Sequence, residues 1–391
     1  MYGCVTMPIS TELRSKRFRN KMKTRILFLI HDLGQGGAEK VLINLVNNLS
    51  RDKFDISVTV LFGGGINEQF LKPDIHFRAV FPRMIPGNSL WMKAMNPEQL
   101  HQLCVKERYD IEVSYLEGPS ARVISGCRDL NTKLVCWIHS NPLSVKDLAS
   151  PFRSDKEAKT CYSRFEKIVC VSQTIKESME PMLPLDGTYT VLYNTVEFSK
   201  IREMSEEEVP ELEGESALKL VAVGTLKEIK GFDRLLRVVK RLIEEKNPVH
   251  LFLLGDGPDA EQLRRYVMEN SLQSSVSFLG YQLNPYKYVA KCDLFVCSSY
   301  SEGFSTAATE ALIVGTPVCT VAVSGMKEML GENNEYGIIT ENDEEALYQG
   351  IKRFVESPET LEYYKKKARE RGERFSTKNT VRAVEEMLLS L

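Results

Sequence analysis

The run Ile26-Leu27-Phe28-Leu29-Ile30, followed by the loop His31 to Gly37 and then by Ala38, Val41, Leu42, Leu45 and Leu49 at helical spacing, decides the fold class of the chain. Successive apolar residues with no polar face belong to a parallel strand buried on both sides. The segment behind the loop puts its apolar residues on one side of a 3.6-residue period, so the unit reads strand, loop, helix. Further β-rich runs at 56–62, 75–80, 111–116, 134–138 and 168–171 alternate with helix-period segments. That alternation predicts a doubly wound α/β domain around a parallel sheet.

Residues 203–216 are dense in glutamate and contain Pro210 and Gly214, which reads as an exposed interdomain linker. The pattern then restarts. A strand at 218–223 precedes Phe232, Leu235, Leu236, Val239, Leu242 and Ile243 on one helical face, and strands follow at 249–254, 276–279, 294–297, 317–321 and 337–339. The stretch 361–391 reads as two charged helices broken near 372–376. The expected organisation is a flexible basic arm over 1–22, an N-terminal domain over 23–202, the linker 203–216, a C-terminal domain over 217–376 and a final helix over 377–391. A length of 391 residues accommodates both domains, at about 150 residues each.

Composition narrows the function classes. With 43% hydrophobic and 27% charged residues the chain can bury sizeable cores, and a formal charge of -2 gives no global reason to bind nucleic acid. Nine cysteines without a Cys-x-x-Cys pair predict free thiols in a reducing cytosol. The basic stretch before Ile26 is followed by an apolar run too short for a signal peptide, so export is not expected. Five scattered histidines and the lack of Asp-x-Asp predict no metal, and the absence of Gly-x-Ser-x-Gly excludes a serine hydrolase elbow.

In open α/β sheets ligands bind at the carboxyl ends of strands, and four such places carry suggestive residues. Gly34-Gln35-Gly36-Gly37 lets backbone approach a ligand at a helix start. In Gly224-Thr225-Leu226-Lys227-Glu228-Ile229-Lys230-Gly231, Lys230 adds a cation to the positive end of a helix, a mismatch that phosphate would relieve. Glu302-Gly303-Phe304-Ser305-Thr306 opens a helix that Ser305 can cap and Gly315 can end, with Glu302 in the loop and Glu310 within the helix. Glutamate among small and apolar residues needs a partner, and sugar or ribose hydroxyls would serve, as would a structural ion pair. His139 stands at the end of the strand at 134–138.

Taken together these residues resemble the retaining, two-domain glycosyltransferases of family 4, from about residue 24 to the C-terminus. The most specific element is the Glu-x7-Glu pair Glu302 and Glu310. Gly36-Gly37-Ala38-Glu39, Cys170-Val171-Ser172, Tyr193-Asn194-Thr195-Val196, Lys230-Gly231-Phe232 and Leu254-Gly255-Asp256-Gly257-Pro258 support it. The resemblance implies the GT-B fold, two Rossmann-like domains facing each other across a cleft. It implies a nucleotide-diphosphate sugar, UDP-sugar favoured, held by Gly224, Thr225, Lys227, Lys230, Tyr281, Glu302, Gly303, Phe304, Ser305, Thr306 and Glu310. In it Lys230 takes the diphosphate, Glu310 the ribose and Glu302 the hexose. His139 approaches the transferred sugar, and Gly36 and Gly37 line the phosphate and acceptor side. Thr225 departs from the family's usual arginine, and Lys227 is the substitute cation nearest in sequence.

The implied activity is hexosyl transfer, without cofactor or metal, to a saccharide or lipid-linked acceptor in bacterial surface polysaccharide synthesis, of capsule or lipopolysaccharide. A nucleotide-sugar 2-epimerase and a non-catalytic partner subunit are the alternatives on the same fold. The expected location is cytoplasmic, with peripheral contact to the inner membrane face. Residues 81–95 place Met84, Ile85, Leu90, Trp91, Met92 and Met95 between Arg83 and Lys93, which suits either a bilayer interface or a buried helix.

Overall fold

Two parallel sheets form the scaffold of the computed structural model, which describes residues 23–142, 144–212 and 217–391. The arm expected over 1–22, and residues 213–216 of the expected linker, lie outside the described residues. The first sheet comprises β1 (Thr24–Ile30), β2 (Phe54–Phe62), β3 (His76–Phe81), β4 (Ile111–Ser114), β5 (Lys133–Ile138), β6 (Lys167–Cys170) and β7 (Tyr189–Val191), in the order β3-β2-β1-β4-β5-β6-β7. The second comprises β8 (Leu218–Val223), β9 (Val249–Leu254), β10 (Val276–Gly280), β11 (Leu294–Cys297), β12 (Val318–Val321) and β13 (Ile338–Thr340), in the order β10-β9-β8-β11-β12-β13. Strand order reverses beside β1 in one sheet and beside β8 in the other, and a crevice opens at each reversal. Both crevices face the same cleft.

The strands are held by what the sequence offers. Ile26 to Ile30 are buried, and Phe28 sits in register between Val58 and Val113. Helix Gly37–Asn48 buries Val41, Leu42 and Leu45, and helix Phe232–Glu244 buries Phe232, Leu235, Leu236, Val239 and Leu242. Each such side chain contributes about 1.5–3 kcal/mol when removed from water. Strand β7 has no counterpart in the sequence reading. It is a three-residue edge strand, half-buried throughout, and too short to show a period.

The segment between the sheets differs from a purely exposed linker. Helix Phe198–Ser205 runs across position 202, and Val209 and Leu212 are buried within the glutamate-rich stretch. The chain then closes on itself. After helix Pro358–Gly372, helix Thr377–Leu389 returns to the first sheet's domain, where the backbone N–H of Ser50 donates to Glu385 Oε1 at 2.8 Å and Lys53 pairs with the same carboxylate. Thr377 Oγ1 donates to the Val196 carbonyl at 2.6 Å and accepts from the Phe198 N–H at 3.0 Å.

Residues 81–95 divide between the two readings offered for them. In and before helix Asn88–Ala94, Met92 is buried, Trp91 packs edge-on against Phe81, and Ile85 and Met95 pack on the core. Met84 and Leu90 remain 50% and 76% exposed. Arg122 fixes the end of the helix by donating to the carbonyls of Met92 at 2.6 Å and Met95 at 2.8 Å. No helix among the described residues is long and apolar enough to cross a membrane.

Candidate active site

On the second sheet the turn after β8 brings Gly224 and Thr225 to the cleft and ends in the 3-10 turn Glu228–Lys230. Gly231 follows with φ +61, and a Cβ there would overlap the carbonyl oxygen of Ser298, so only glycine lets the two loops meet. Ser298 Oγ donates to the Lys230 carbonyl at 3.0 Å, while buried Arg234 donates to the carbonyls of Ser298 at 2.7 Å and Ser299 at 2.8 Å. These bonds lock the loop after β11 to the loop after β8. Their result is an ion pair of 2.6 Å between Lys230 Nζ and Glu302 Oε1, with Ser299 Oγ donating to the same oxygen at 2.6 Å.

Helix Thr306–Val314 begins where the sequence places it. The Ser305 side chain accepts from the Ala308 N–H, and Gly315 ends the helix. A cap of this kind is worth about 1 kcal/mol. Glu310 lies on the buried part of this helix with its side chain 8% exposed, and its Oε1 accepts from Lys40 Nζ at 2.6 Å. Lys40 belongs to helix Gly37–Asn48 of the other domain and also lies 4.9 Å above the Tyr286 ring. Burial works against the charge on Lys40, but Glu310 and Tyr286 more than offset it and hold the ammonium above its ordinary range. Burial, with Glu310 next in order, pushes the Tyr286 hydroxyl up to about 12.

The first sheet supplies the facing wall. A Cβ on Gly37 would come within 3.5 Å of Thr306 Oγ1, so the starts of helices Gly37–Asn48 and Thr306–Val314 meet across the cleft. Each helix start carries about half a positive charge, and the two together favour an anion between them. His139 follows β5, and Glu117 orients its loop by accepting from the backbone N–H groups of His139 at 2.9 Å and Ser140 at 3.1 Å. The His139 ring lies 5.0 Å from that of Tyr115, its Nε2 is buried without a hydrogen-bond partner, and burial pushes its pKa down to about 3. The imidazole is therefore neutral near pH 7.

Most of these groups line one cavity of about 540 Å3 between the domains, with Glu117, Tyr115 and Arg234 set behind its wall. Gly36, Gly37 and His139 line it from one side; Gly224, Thr225, Lys230, Tyr281, Glu302, Gly303, Phe304, Ser305, Thr306 and Glu310 line it from the other. Lys227 does not; it is exposed on the outer part of its turn, although its charge is felt by Glu39, whose carboxyl burial pushes up. The lysines of the lining are Lys40, Lys200 and Lys230, and among the described residues no arginine lines the cavity. Lys40, Glu117 and Tyr286 are the contributors that sequence reasoning missed. Their positions matter only after folding brings residues far apart in the chain together.

A separate cluster joins half-buried His101 to buried Glu112 and Cys127. Glu112 accepts a 2.8 Å contact from His101 Nε2, and the cluster takes no part in the cleft.

Comparison with known proteins agrees with the geometry. Residues 35–200 match the family described as Glycosyltransferase Family 4, and residues 204–371 match Glycosyl transferases group 1. The chain belongs to the family 4, group 1 glycosyltransferases, enzymes of GT-B fold that take a sugar from a nucleotide sugar. It is 29% identical over 357 residues, 88% of this chain and 94% of the relative, to the N-acetylgalactosamine-N,N'-diacetylbacillosaminyl-diphospho-undecaprenol 4-alpha-N-acetylgalactosaminyltransferase of Campylobacter jejuni. It is 30% identical over 142 residues, 36% of this chain and 40% of the relative, to the lipopolysaccharide core biosynthesis glycosyltransferase LpsD of Rhizobium meliloti. The solved structure of HepE from Anabaena in complex with UDP and glucose superposes with a TM-score of 0.74 at 21% identity, over 94% of this chain and all of that one.

Proposed function

We propose that the protein transfers a hexosyl unit, N-acetylated hexoses included, with retention from a UDP-sugar to a saccharide or lipid-linked acceptor in bacterial surface polysaccharide synthesis. The observation that carries the reading is the convergence on one cavity of Lys230 paired to Glu302, Glu310 on the helix that follows Glu302, and two helix starts facing each other. The diphosphate takes the place between the helix starts, with Lys230 as its cation. Glu310 accepts from the ribose hydroxyls, Glu302 from hydroxyls of the sugar, and Tyr281 lies towards the base. Unpartnered Nε2 of neutral His139 then faces the sugar from the other domain.

Breaking a glycosyl–phosphate bond requires stabilisation of the departing diphosphate, and preorganised cations and backbone N–H groups supply it where charge develops. In such a site the leaving phosphate takes the acceptor's proton on the face it departs from, which preserves the anomeric configuration. The buried loops exclude water that would hydrolyse the donor. A lipid-linked acceptor is supported by the diphospho-undecaprenol substrate named for the Campylobacter relative. Exposed Met84 and Leu90, with Arg83 beside them, give the same domain a surface for peripheral contact with a membrane face.

The test is a panel of UDP- and other nucleotide sugars, with and without saccharide and lipid-diphosphate acceptors, in excess chelator. Transfer with release of the nucleoside diphosphate is the expected outcome. Interconversion of the donor without its consumption indicates an epimerase, and no change in any donor indicates a non-catalytic subunit. A loss of activity that only metal restores overturns the assignment of diphosphate stabilisation to lysine and helix starts.

A further inference from the structure

We propose that Lys40 is a positioning residue that ties the two domains together through the donor-binding carboxylate, so that cleft closure and seating of the ribose depend on the same group. The proposal rests on the reading of Glu310 as the ribose ligand. Lys40 and Glu310 are 270 residues apart in sequence and lie on helices of opposite domains, yet Nζ and Oε1 are 2.6 Å apart in the cleft.

The electrostatics make this contact more than incidental. Glu310 is held in a helix whose other buried residues are Ala308, Thr309, Ala311, Leu312 and Ile313, and among the described residues Lys40 is its one ion-pair partner. A carboxylate removed from water requires a counter-charge. Among the described residues the second domain does not provide one, so the neutralisation of Glu310 comes from across the cleft. Opening the cleft separates the pair.

Ribose hydroxyls are neutral donors. They can satisfy lone pairs of Glu310, but they cannot replace the charge of Lys40. Because Oε1 is engaged by Lys40, Oε2 is the oxygen available to the sugar, and both partners can be held by one carboxylate. A nucleotide seated on Glu310 displaces water from it, which increases its need for Lys40 and draws the domains together. Tyr286, under the Lys40 ammonium at 4.9 Å, keeps the lysine stem aimed at the carboxylate. Closure in turn keeps water from the donor.

The experiment compares wild type with Lys40→Met, which preserves the aliphatic stem over Tyr286, and with Lys40→Arg, which preserves the charge. Small-angle scattering without nucleotide should show a larger radius of gyration for Lys40→Met than for wild type. With a UDP-sugar, kcat/KM should fall about tenfold, the scale of one charge-assisted hydrogen bond. The share of donor lost to hydrolysis should rise, and Lys40→Arg should restore most of each property. An unchanged radius together with unchanged kcat/KM and hydrolysis overturns the tie. Tighter binding of UDP by Lys40→Met also overturns it, because Lys40 would then compete with ribose instead of sharing the carboxylate. Titration of Glu310→Gln with UDP separates the two claims: undiminished affinity there removes the ribose assignment, whereas the nucleotide-free radius reports on the tie alone.

Discussion

The carbonyl oxygen of His139 stands in the space that a Cβ on Gly303 would fill, so the two domains meet main chain to main chain beside the paired Lys230 and Glu302. This approach brings the neutral imidazole to the wall of the cavity, and it tolerates no side chain at position 303.

Replacing Gly303 with alanine is therefore expected to hold the cleft ajar. Overpacking costs about 1–3 kcal/mol, which corresponds to a loss of transfer of about tenfold to hundredfold. Binding of the nucleoside diphosphate should weaken less than transfer by calorimetric titration, because Lys230 and Glu310 stay in place on the second domain while the first domain's helix start and Lys40 draw back. Normal turnover by the alanine variant would show that the closed contact is not used in catalysis.

Lys230→Ala removes the cation assigned to the diphosphate and leaves Glu302 with Ser299 as its remaining hydrogen-bond partner. Turnover should fall by about 10^2- to 10^3-fold, the range for loss of one preorganised transition-state contact. Steady-state kinetics with saturating acceptor check it, and a change confined to KM would indicate uniform ground-state binding instead.

The two glutamates should separate by assay. Glu310→Gln is expected to weaken UDP binding by about tenfold or more. Glu302→Gln should spare UDP binding and lose transfer. Equal loss of UDP affinity in the two variants would contradict the division between ribose and hexose.

Acid stability offers a test of His139 that does not depend on activity. Its pKa falls from 6.5 unfolded to about 3 folded because burial disfavours the cation. Below pH 6.5 the unfolded chain binds a proton that the folded chain refuses. The folded state thus loses about 1.4 kcal/mol per pH unit as pH falls towards 3, and nothing above 6.5. His101 acts in another window: burial disfavours its charge, but Cys127 and Glu112 raise its pKa to about 9, so its contribution is complete below 6.5 and is lost as pH rises through 9. Between pH 6.5 and 5, His139→Phe should lose about 2 kcal/mol less stability than wild type in denaturant titrations. Parallel losses would mean that the wild-type imidazole is solvated.

Membrane contact should depend on Met84 and Leu90, the exposed apolar residues of their segment, rather than on Trp91, which packs on Phe81. Co-sedimentation with anionic liposomes is expected for wild type and should drop severalfold for Met84→Glu with Leu90→Glu. Wild type remaining in the supernatant would favour a soluble acceptor.

The sequence exposes whatever is local. The run Ile26–Ile30, the Ser305 cap and the Gly315 stop are each set by neighbours within a few residues, and each lies where its pattern predicts. The cavity's second-domain wall was equally legible because Glu302 to Glu310 is continuous. Lys40 was not: its partner lies in a different domain, and a lysine in the first turn of an amphipathic helix resembles any solvated lysine. Lys227 misleads for the converse reason, since proximity in sequence to Thr225 does not carry its side chain into the cavity. Trp91 was ambiguous because a packed and a membrane-facing helix share the same apolar composition.

Helix Thr377–Leu389, bound to Ser50 and Lys53 through Glu385, also dictates an order of events during synthesis. The first domain emerges from the ribosome early, yet the helix that covers Ser50 is translated after every strand of both sheets. Until then that surface is bare, and a nascent chain stalled within the second domain exposes it to chaperones and proteases. A segment translated after both sheets thus completes the earlier of the two domains, and a ribosome-bound chain halted before residue 377 should be cleaved near Ser50 more readily than the released protein.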